Sequence, residues 1–269
     1  YLNAGSTVVI ILPSSITVTS IACSNGYLNS STTFSPICNI VSTNMTVSNI
    51  LSDLPAGTNI SFSFSGLNNP PSIQPVTFSI ATLYTDGGTV DYLSGISYTP
   101  TADTIVSAGV TSTSYTNGDN ASYTVSVIVK NQIPVSSQVL IGLPIGVTFN
   151  TSTITCSYLL NGGSSGAINF SKITSTGSVY NDGVNISLNN GVAIPANSNL
   201  SFTIGLRNNP ITTQPSNSFS VYLSDSSNYL IESGVTGITI TMTTPSAFMS
   251  DSVVSGSYVN GYTTNYTIN

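Results

Sequence analysis

The 269-residue chain has no histidine and no tryptophan, and only 12 of its residues are charged, 3 basic and 9 acidic. Each shortage removes a class of function. Without imidazole there is no Ser-His-Asp or Cys-His device and no histidine metal site, and general acid/base chemistry near neutral pH loses its usual carrier. Three cations, Lys130, Lys172 and Arg207, cannot build the basic patch that a phosphate backbone requires, so nucleic acid is excluded as a partner. The longest aliphatic run, Val8 to Leu12, is far short of the ~18 to 20 residues of a spanning helix, and no membrane span is expected. Three cysteines are too few for a dense disulfide scaffold. The first residues carry neither an initiator Met nor a basic and apolar leader, which reads as a processed product or an internal window of something longer.

Hydroxyls and amides take the place of charge. The chain has 47 Ser, 36 Thr and 28 Asn, beside 14 Tyr and 9 Phe in a 40% hydrophobic composition, enough apolar matter to bury real cores. A mean hydropathy of +0.28 with so few charges leaves solubility to another source, since net charge is what normally keeps protein surfaces apart. Attached glycan, or life in an insoluble assembly, would supply it.

The chain repeats itself. Leu54 to Pro75 recurs without a gap as Ile194 to Pro215, with 10 identities in 22 positions, including Asn68-Asn69-Pro70 and Gln74-Pro75 against Asn208-Asn209-Pro210 and Gln214-Pro215. Upstream, Val8 to Pro13 matches Val139 to Pro144, and Cys23 falls near Cys156. A third match is displaced: Thr99-Pro100-Thr101-Ala102 recurs as Thr244-Pro245-Ser246-Ala247, and Ser114 to Gly118 followed by Tyr123-Thr124-Val125 recurs as Ser257 to Gly261 followed by Tyr266-Thr267-Ile268. Residues 100–244 thus read as a complete domain, residues 1–99 as a copy lacking its first strand, and residues 245–269 as that first strand, placed at the other end.

Within the complete copy, Tyr123–Val129, Gln138–Leu143, Val147–Leu160, Ile168–Ile173, Asn185–Ile194, Leu200–Leu206, Phe219–Leu223 and Gly237–Thr243 are short, β-branched and aromatic, with period-two alternation. Asn161-Gly162-Gly163, Asn181-Asp182-Gly183 and Asn189-Asn190-Gly191 supply turn chemistry between them. No sustained 3.6-residue period is present. The fold class is all-β: tandem immunoglobulin-like β-sandwiches, one complete and one split between the two chain ends.

Asn117-Gly118-Asp119, Tyr123-Thr124-Val125-Ser126-Val127 and Leu143-Pro144-x-Gly146-Val147-Thr148-Phe149 together resemble the tandem immunoglobulin-like repeats of microbial cell-surface and extracellular fibril proteins. The resemblance covers about 35 residues of each ~140-residue unit, and the first copy departs from it with Leu12-Pro13-Ser14-Ser15-Ile16. It implies stalks, coats and fibrils at the cell surface or outside the cell, and no enzymatic activity.

Cys23 and Cys38 flank a polar loop, a common place for a disulfide in an oxidising compartment; two buried thiols are the other reading. Cys156, at the position equivalent to Cys23 and with no counterpart of Cys38 in its own copy, is expected to be buried; an intermolecular pairing is the other reading. Sequons stand at Asn29, Asn44, Asn59, Asn120, Asn150, Asn169, Asn185, Asn199 and Asn265, close to the number chance provides; Asn59 and Asn199 carry more weight because they share one place in both copies. Asp86, Asp91, Asp103, Asp119, Asp182 and Asp225 are assigned to turns and form no calcium loop. Asp86 with Asp91, or Asp225 with Glu232, are the only conceivable carboxylate pairs for hydrolysis, and both are spaced like hairpin neighbours. Lys130 sits in a strand with no acidic neighbour in sequence, which disfavours a lysine crosslink. The Asn-Asn-Pro-x-x-x-Gln-Pro motif is either a connection of fixed shape or a contact surface repeated once per domain.

A sandwich without its first strand has a bare edge and an unfilled core groove. Ser257, Tyr258, Tyr262, Tyr266 and Ile268, in the terminal segment, are the expected assembly strand for the N-terminal domain of another copy or of the next repeat in a longer chain. The expectation is a structural protomer of an extracellular filament, partnered by copies of itself head-to-tail and by covalent glycans, with no cofactor and no catalysis. The alternative is an adhesin or receptor fragment binding carbohydrate or protein through sandwich loops, with Tyr158, Tyr180 and Tyr229 as candidate aromatics near turns.

Overall fold

The computed structural model describes residues 1–149, 155–163, 168–174, 182–189, 191–234, 237–243, 252–261 and 263–268. Among these there is no helix, and so none long and apolar enough to cross a membrane. The chain forms two β-sandwiches and a terminal hairpin.

In the first sandwich, β1 (Thr7–Ile11), β4 (Ile37–Val41), β5 (Asn44–Ser48), β7 (Val76–Leu83) and β8 (Thr89–Tyr98) form one sheet in the order β4-β5-β1-β7-β8. Facing it are β2 (Thr17–Leu28), β3 (Thr32–Phe34) and β6 (Ile60–Asn68), in the order β3-β2-β6. The period-two alternation of strands buries Val8 and Ile10 from β1 and Met45 and Val47 from β5, while the residues between them are less buried.

The second sandwich repeats this plan and adds to it. β12 (Gln138–Leu143), β15 (Ile168–Thr174), β16 (Asp182–Leu188), β18 (Ser220–Ser224) and β19 (Leu230–Ser233) stand in the order β15-β16-β12-β18-β19, strand for strand the order of the first sheet, with β9 (Asp103–Thr104) added in parallel at the β19 edge. In the facing sheet, β17 (Asn199–Asn208) takes the place of β6, pairing on one side with β13 (Thr148–Phe149) and β14 (Cys156–Leu160). Its other side is covered by β11 (Asn120–Ile128), and β11 in turn by β10 (Ser107–Ser112). The terminal hairpin joins β20 (Val253–Ser255) to β21 (Tyr266–Ile268).

Equivalent residues confirm the correspondence locally. The Leu2–Leu54 bridge is matched by Ile133–Ile194. Cys23 stands opposite Phe64 as Cys156 stands opposite Ile204. The departure in the Leu-Pro motif changes the turn's conformation and keeps its closure: the amides of Ile16 and Val147 donate to the carbonyls of Pro13 and Pro144, each at 3.1 Å. Gly146 has φ +96°, a left-handed conformation that glycine adopts without strain, whereas Ser15 stays out of that region.

Three sequence expectations change. Gly237–Thr243 is not a strand, although Ile238, Ile240 and Met242 are buried in alternation; its neighbour is the irregular segment around Pro215, where Ser216 Oγ takes the Ile240 amide at 3.1 Å, and Leu230–Ser233 supplies the strand instead. Asp91, Asp103 and Asp182 lie in strands and not in turns. Lys130 does have an acidic neighbour: its Nζ lies 2.9 Å from Asp103 Oδ2, brought close by the β9 pairing that sequence spacing does not reveal. This ion pair is partly exposed, while beside it the fully buried Glu232 accepts the amides of Lys130 and Asn131, and burial raises its pKa.

Candidate functional site

The difference between the two sandwiches is concentrated at one edge. In the second, β11 lays Tyr123, Val125 and Val127 into the core, each fully buried, opposite Ile204, Phe202 and Leu200 of β17, which are also fully buried. In the first, among the described residues, no strand pairs with the corresponding edge of β6. The side chains equivalent to that buried trio, Phe64, Phe62 and Ile60, are only half-buried. On the adjoining end of β8, Ile96 and Tyr98 are exposed at 36% and 41%. Ile60, Phe62 and Phe64 therefore form a half-covered apolar row along β6, at an edge that has no ladder partner among the described residues.

The terminal hairpin is the same object as β10–β11. Val253, Val254 and Ser255 stand opposite Ile268, Thr267 and Tyr266, in the register in which Val110, Thr111 and Ser112 stand opposite Val125, Thr124 and Tyr123. Its turn is stitched identically. Ser255 Oγ donates to the Ser257 carbonyl at 2.5 Å as Ser112 Oγ does to Ser114 at 2.7 Å, and the Gly256 amide reaches the Asn265 carbonyl as the Thr113 amide reaches Ser122. The Val259 amide donates to Ser257 Oγ as the Thr116 amide does to Ser114 Oγ, both at 3.3 Å. What differs is cover. Tyr266 and Ile268, equivalents of the buried Tyr123 and Val125, are 68% and 79% exposed, and Tyr258 and Val253 are 83% and 64% exposed. Unpartnered apolar faces of this kind mark association surfaces.

The repeated Asn-Asn-Pro motif belongs to this site. Asn209 is fully buried; its Nδ2 donates to the carbonyls of Ser114 and Thr116 at 3.0 and 2.7 Å, its amide donates to the Asp119 carbonyl at 2.8 Å, and its Oδ1 accepts the hydroxyl of Tyr123. Burial raises the pKa of the Tyr123 hydroxyl and keeps it a donor. Gly118 and Asn117 complete the clasp by donating to the carbonyls of Pro210 and Ile211 at 3.1 and 2.8 Å. The motif is thus a socket for the turn that precedes β11. Sequence spacing found the motif and not its role, because its partner lies some 95 residues away.

Of the other sequence candidates, Ser257, Tyr258, Tyr266 and Ile268 lie on the hairpin, joined by β20, which the repeat match does not include. Tyr262 and Asn150 lie outside the described residues. Cys23 and Cys38 are joined by a disulfide with Cα atoms 5.6 Å apart, closing a 15-residue excursion of the first sandwich; a loop of that size is worth about 3 kcal/mol. Cys156 packs half-buried against the second core.

Asn29, Asn44, Asn59, Asn120, Asn169, Asn199 and Asn265 are exposed, whereas Asn185 is half-buried with Nδ2 donating to Gln138 Oε1 at 3.0 Å. Asn29 shapes a turn as well, accepting the Asn59 amide at 2.9 Å as Asn161 accepts that of Asn199 at 2.8 Å, both with positive φ. The loop aromatics do not gather: Tyr158 is buried and stacked on Phe202, Tyr229 is exposed at 36%, and Tyr180 lies outside the described residues. Among the described residues no three Cys, Asp or Glu side chains cluster as a metal site would need.

No protein-family model matches the chain, and no curated protein matches it. Solved structures with a similar arrangement include the N-terminal domain of the Streptococcus gordonii adhesin Sgo0707, at 10% identity and TM-score 0.35, covering 89% of this chain and 56% of that one. The full-length major pilin RrgB of Streptococcus pneumoniae gives 11% identity and TM-score 0.26, covering 81% of this chain and 42% of the pilin. A type II cohesin dyad from the ScaA scaffoldin of Acetivibrio cellulolyticus gives 8% and 0.27, covering 89% and 90%. This chain thus spans little more than half of the adhesin domain and less than half of the pilin. Scores this low add nothing to a functional argument, which rests on the chain's own sheets.

Proposed function

We propose that the protein is a structural unit of an extracellular or cell-surface fibril, in which the β20–β21 hairpin of one copy completes the first sandwich of the next along the edge of β6. The observation that carries this reading is the internal template: β10–β11 closes β17 in the second sandwich, while among the described residues a hairpin of the same register pairs only with itself and the equivalent edge of β6 is bare. Strand addition supplies main-chain hydrogen bonds for affinity and side-chain pockets for specificity. A contact between two different surfaces, repeated, is open and grows linearly. The same geometry serves separate protomers and consecutive modules of a longer chain.

Nothing in this function needs chemistry, in keeping with 12 charges and no histidine. The disulfide suits an oxidising compartment, and glycan on the exposed Asn residues would keep a nearly uncharged surface soluble. The experiment is concentration-dependent light scattering with electron microscopy of the purified chain. Linear particles with a repeat of one chain length support the reading, and a strict monomer at millimolar concentration refutes it.

The glycan assignment has its own check. Where the protein passes through a glycosylating route, glycopeptide mass spectrometry should find Asn59 or Asn199 occupied and Asn185 bare, because modifying Asn185 would break its bond to Gln138 and crowd the middle of β16. Occupancy at Asn185 matching that at Asn59 would contradict the placement.

A further inference from the structure

Two apolar surfaces of strand character leave one quantity loosely determined, the register. A slip of two residues along β6 keeps the same side chains inward and the ladder intact, so burial by itself tolerates it. The second sandwich removes that freedom with one polar residue. Asn209 holds Tyr123 by its hydroxyl and the preceding turn by the carbonyls of Ser114 and Thr116, and none of these bonds survives a slip. Its counterpart in the first sandwich is Asn69, which precedes Pro70 as Asn209 precedes Pro210. Asn69 is exposed, and with Pro70, Thr17, Pro100, Asp103 and Gln132 it lines a cleft of about 640 Å³ between the two sandwiches. The cleft opens where the template places the turn of an incoming hairpin.

Resting on the head-to-tail reading above, we propose that Asn69 is the polar anchor that fixes the register of the joint: its Oδ1 accepts the hydroxyl of Tyr266 of a second copy, and its Nδ2 donates to the carbonyls of that copy's Ser257 and Val259. The register follows from the template. Tyr266 comes opposite Phe64, Thr267 opposite Ser63 and Ile268 opposite Phe62, as Tyr123, Thr124 and Val125 stand opposite Ile204, Thr203 and Phe202. Thr267 and Ser63 then renew the hydroxyl pair that Thr124 and Thr203 make at 2.9 Å.

In the unjoined chain the anchor is occupied by a stand-in, for the hydroxyl of Tyr98 donates to Asn69 Oδ1. The residue in the corresponding place before the repeated Thr-Pro is Thr243, whose amide donates to the Tyr115 carbonyl at 3.1 Å and whose side chain is too short to compete for Asn209. Tyr98 keeps the acceptor satisfied until Tyr266 displaces it.

The test is a double-substitution cycle in the full chain, read as the association constant by analytical ultracentrifugation. Because Asn69 is exposed before joining, Asn69→Ala leaves each subunit folded, which circular dichroism checks. Asn69→Ala should weaken association about 10- to 100-fold and Tyr266→Phe about 10-fold, with the double variant no weaker than Asn69→Ala, since both remove one interaction. Tyr98→Phe should associate at least as tightly as the parent.

A second reading fixes the register directly: Ser63→Cys with Thr267→Cys should crosslink between chains, and adding Asn69→Ala should spread crosslinking to Ser61→Cys and Ser65→Cys. Parent-like association of Asn69→Ala, or effects that simply add, overturn the anchor and leave the fibril reading standing. A parent chain that never associates overturns both.

Discussion

A chain lacking residues 253–269 is expected to remain monomeric at concentrations where the full chain forms linear particles, with an association constant lower by at least about 100-fold. Tyr266 and Ile268 are 68% and 79% exposed in the unjoined chain, and their equivalents Tyr123 and Val125 are fully buried. Covering two such side chains is worth about 3 to 6 kcal/mol, and each 1.4 kcal/mol is tenfold in affinity. The truncation removes nothing from either sandwich, because the hairpin pairs only with itself among the described residues. Light scattering on the two chains side by side decides the matter; equal growth of the truncated chain would show that another surface drives association. With 12 charges there is also little Coulomb energy to screen, so growth of the full chain should be nearly the same in low salt and at about 1 M.

Much of this architecture was legible in residue order, and the reasons for the exceptions are physical. Period-two alternation identifies β11, β12 and β18 because each lays alternate side chains on a closed core, as the fully buried Val139 and Ile141 or Val221 and Leu223 show. It fails at Gly237–Thr243, where alternation survives but the neighbouring segment around Pro215 offers no regular ladder. The repeat locates the terminal segment from Ser257 onward and stops short of β20: Val253-Val254-Ser255 keeps two of the three residues of Val110-Thr111-Ser112 at the same offset, but so short a stretch does not stand out in a chain this rich in Val and Ser.

Long-range polar partners are the least legible part. Nothing local tells that Asn209 reaches Ser114, that Lys130 reaches Asp103, or that Asn29 and Asn161 do the same work in the two turns. Each of these bonds joins segments that only the sheet order brings together. The charge count, by contrast, is independent of folding, so the expectation of no nucleic-acid partner follows from composition alone.

The open edge carries a thermodynamic consequence for the chain before it assembles. The second sandwich closes on Leu200, Phe202 and Ile204 with Tyr123, Val125 and Val127, whereas in the first Ile60, Phe62 and Phe64 remain half-buried and no strand among the described residues covers them. Three large side chains taken from half-buried to fully buried are worth about 2 to 5 kcal/mol, a large share of the stability of an ordinary domain. The Cys23–Cys38 disulfide offsets part of that shortfall, about 3 kcal/mol, and only in the first sandwich.

Calorimetry of the unassembled chain should therefore show two transitions, the lower belonging to the first sandwich. The lower transition should climb as protein concentration rises, because a donated hairpin binds the folded edge and not the unfolded chain. Adding the hairpin-deleted chain's partner surface cannot substitute for the hairpin, so in the truncated chain the lower transition should stay fixed at every concentration. Reduction should lower or abolish that transition and leave the upper one in place, since the second sandwich has no disulfide among its described residues. One cooperative, concentration-independent transition would mean that the first sandwich is already complete, and the apolar row along β6 would then have no part in assembly.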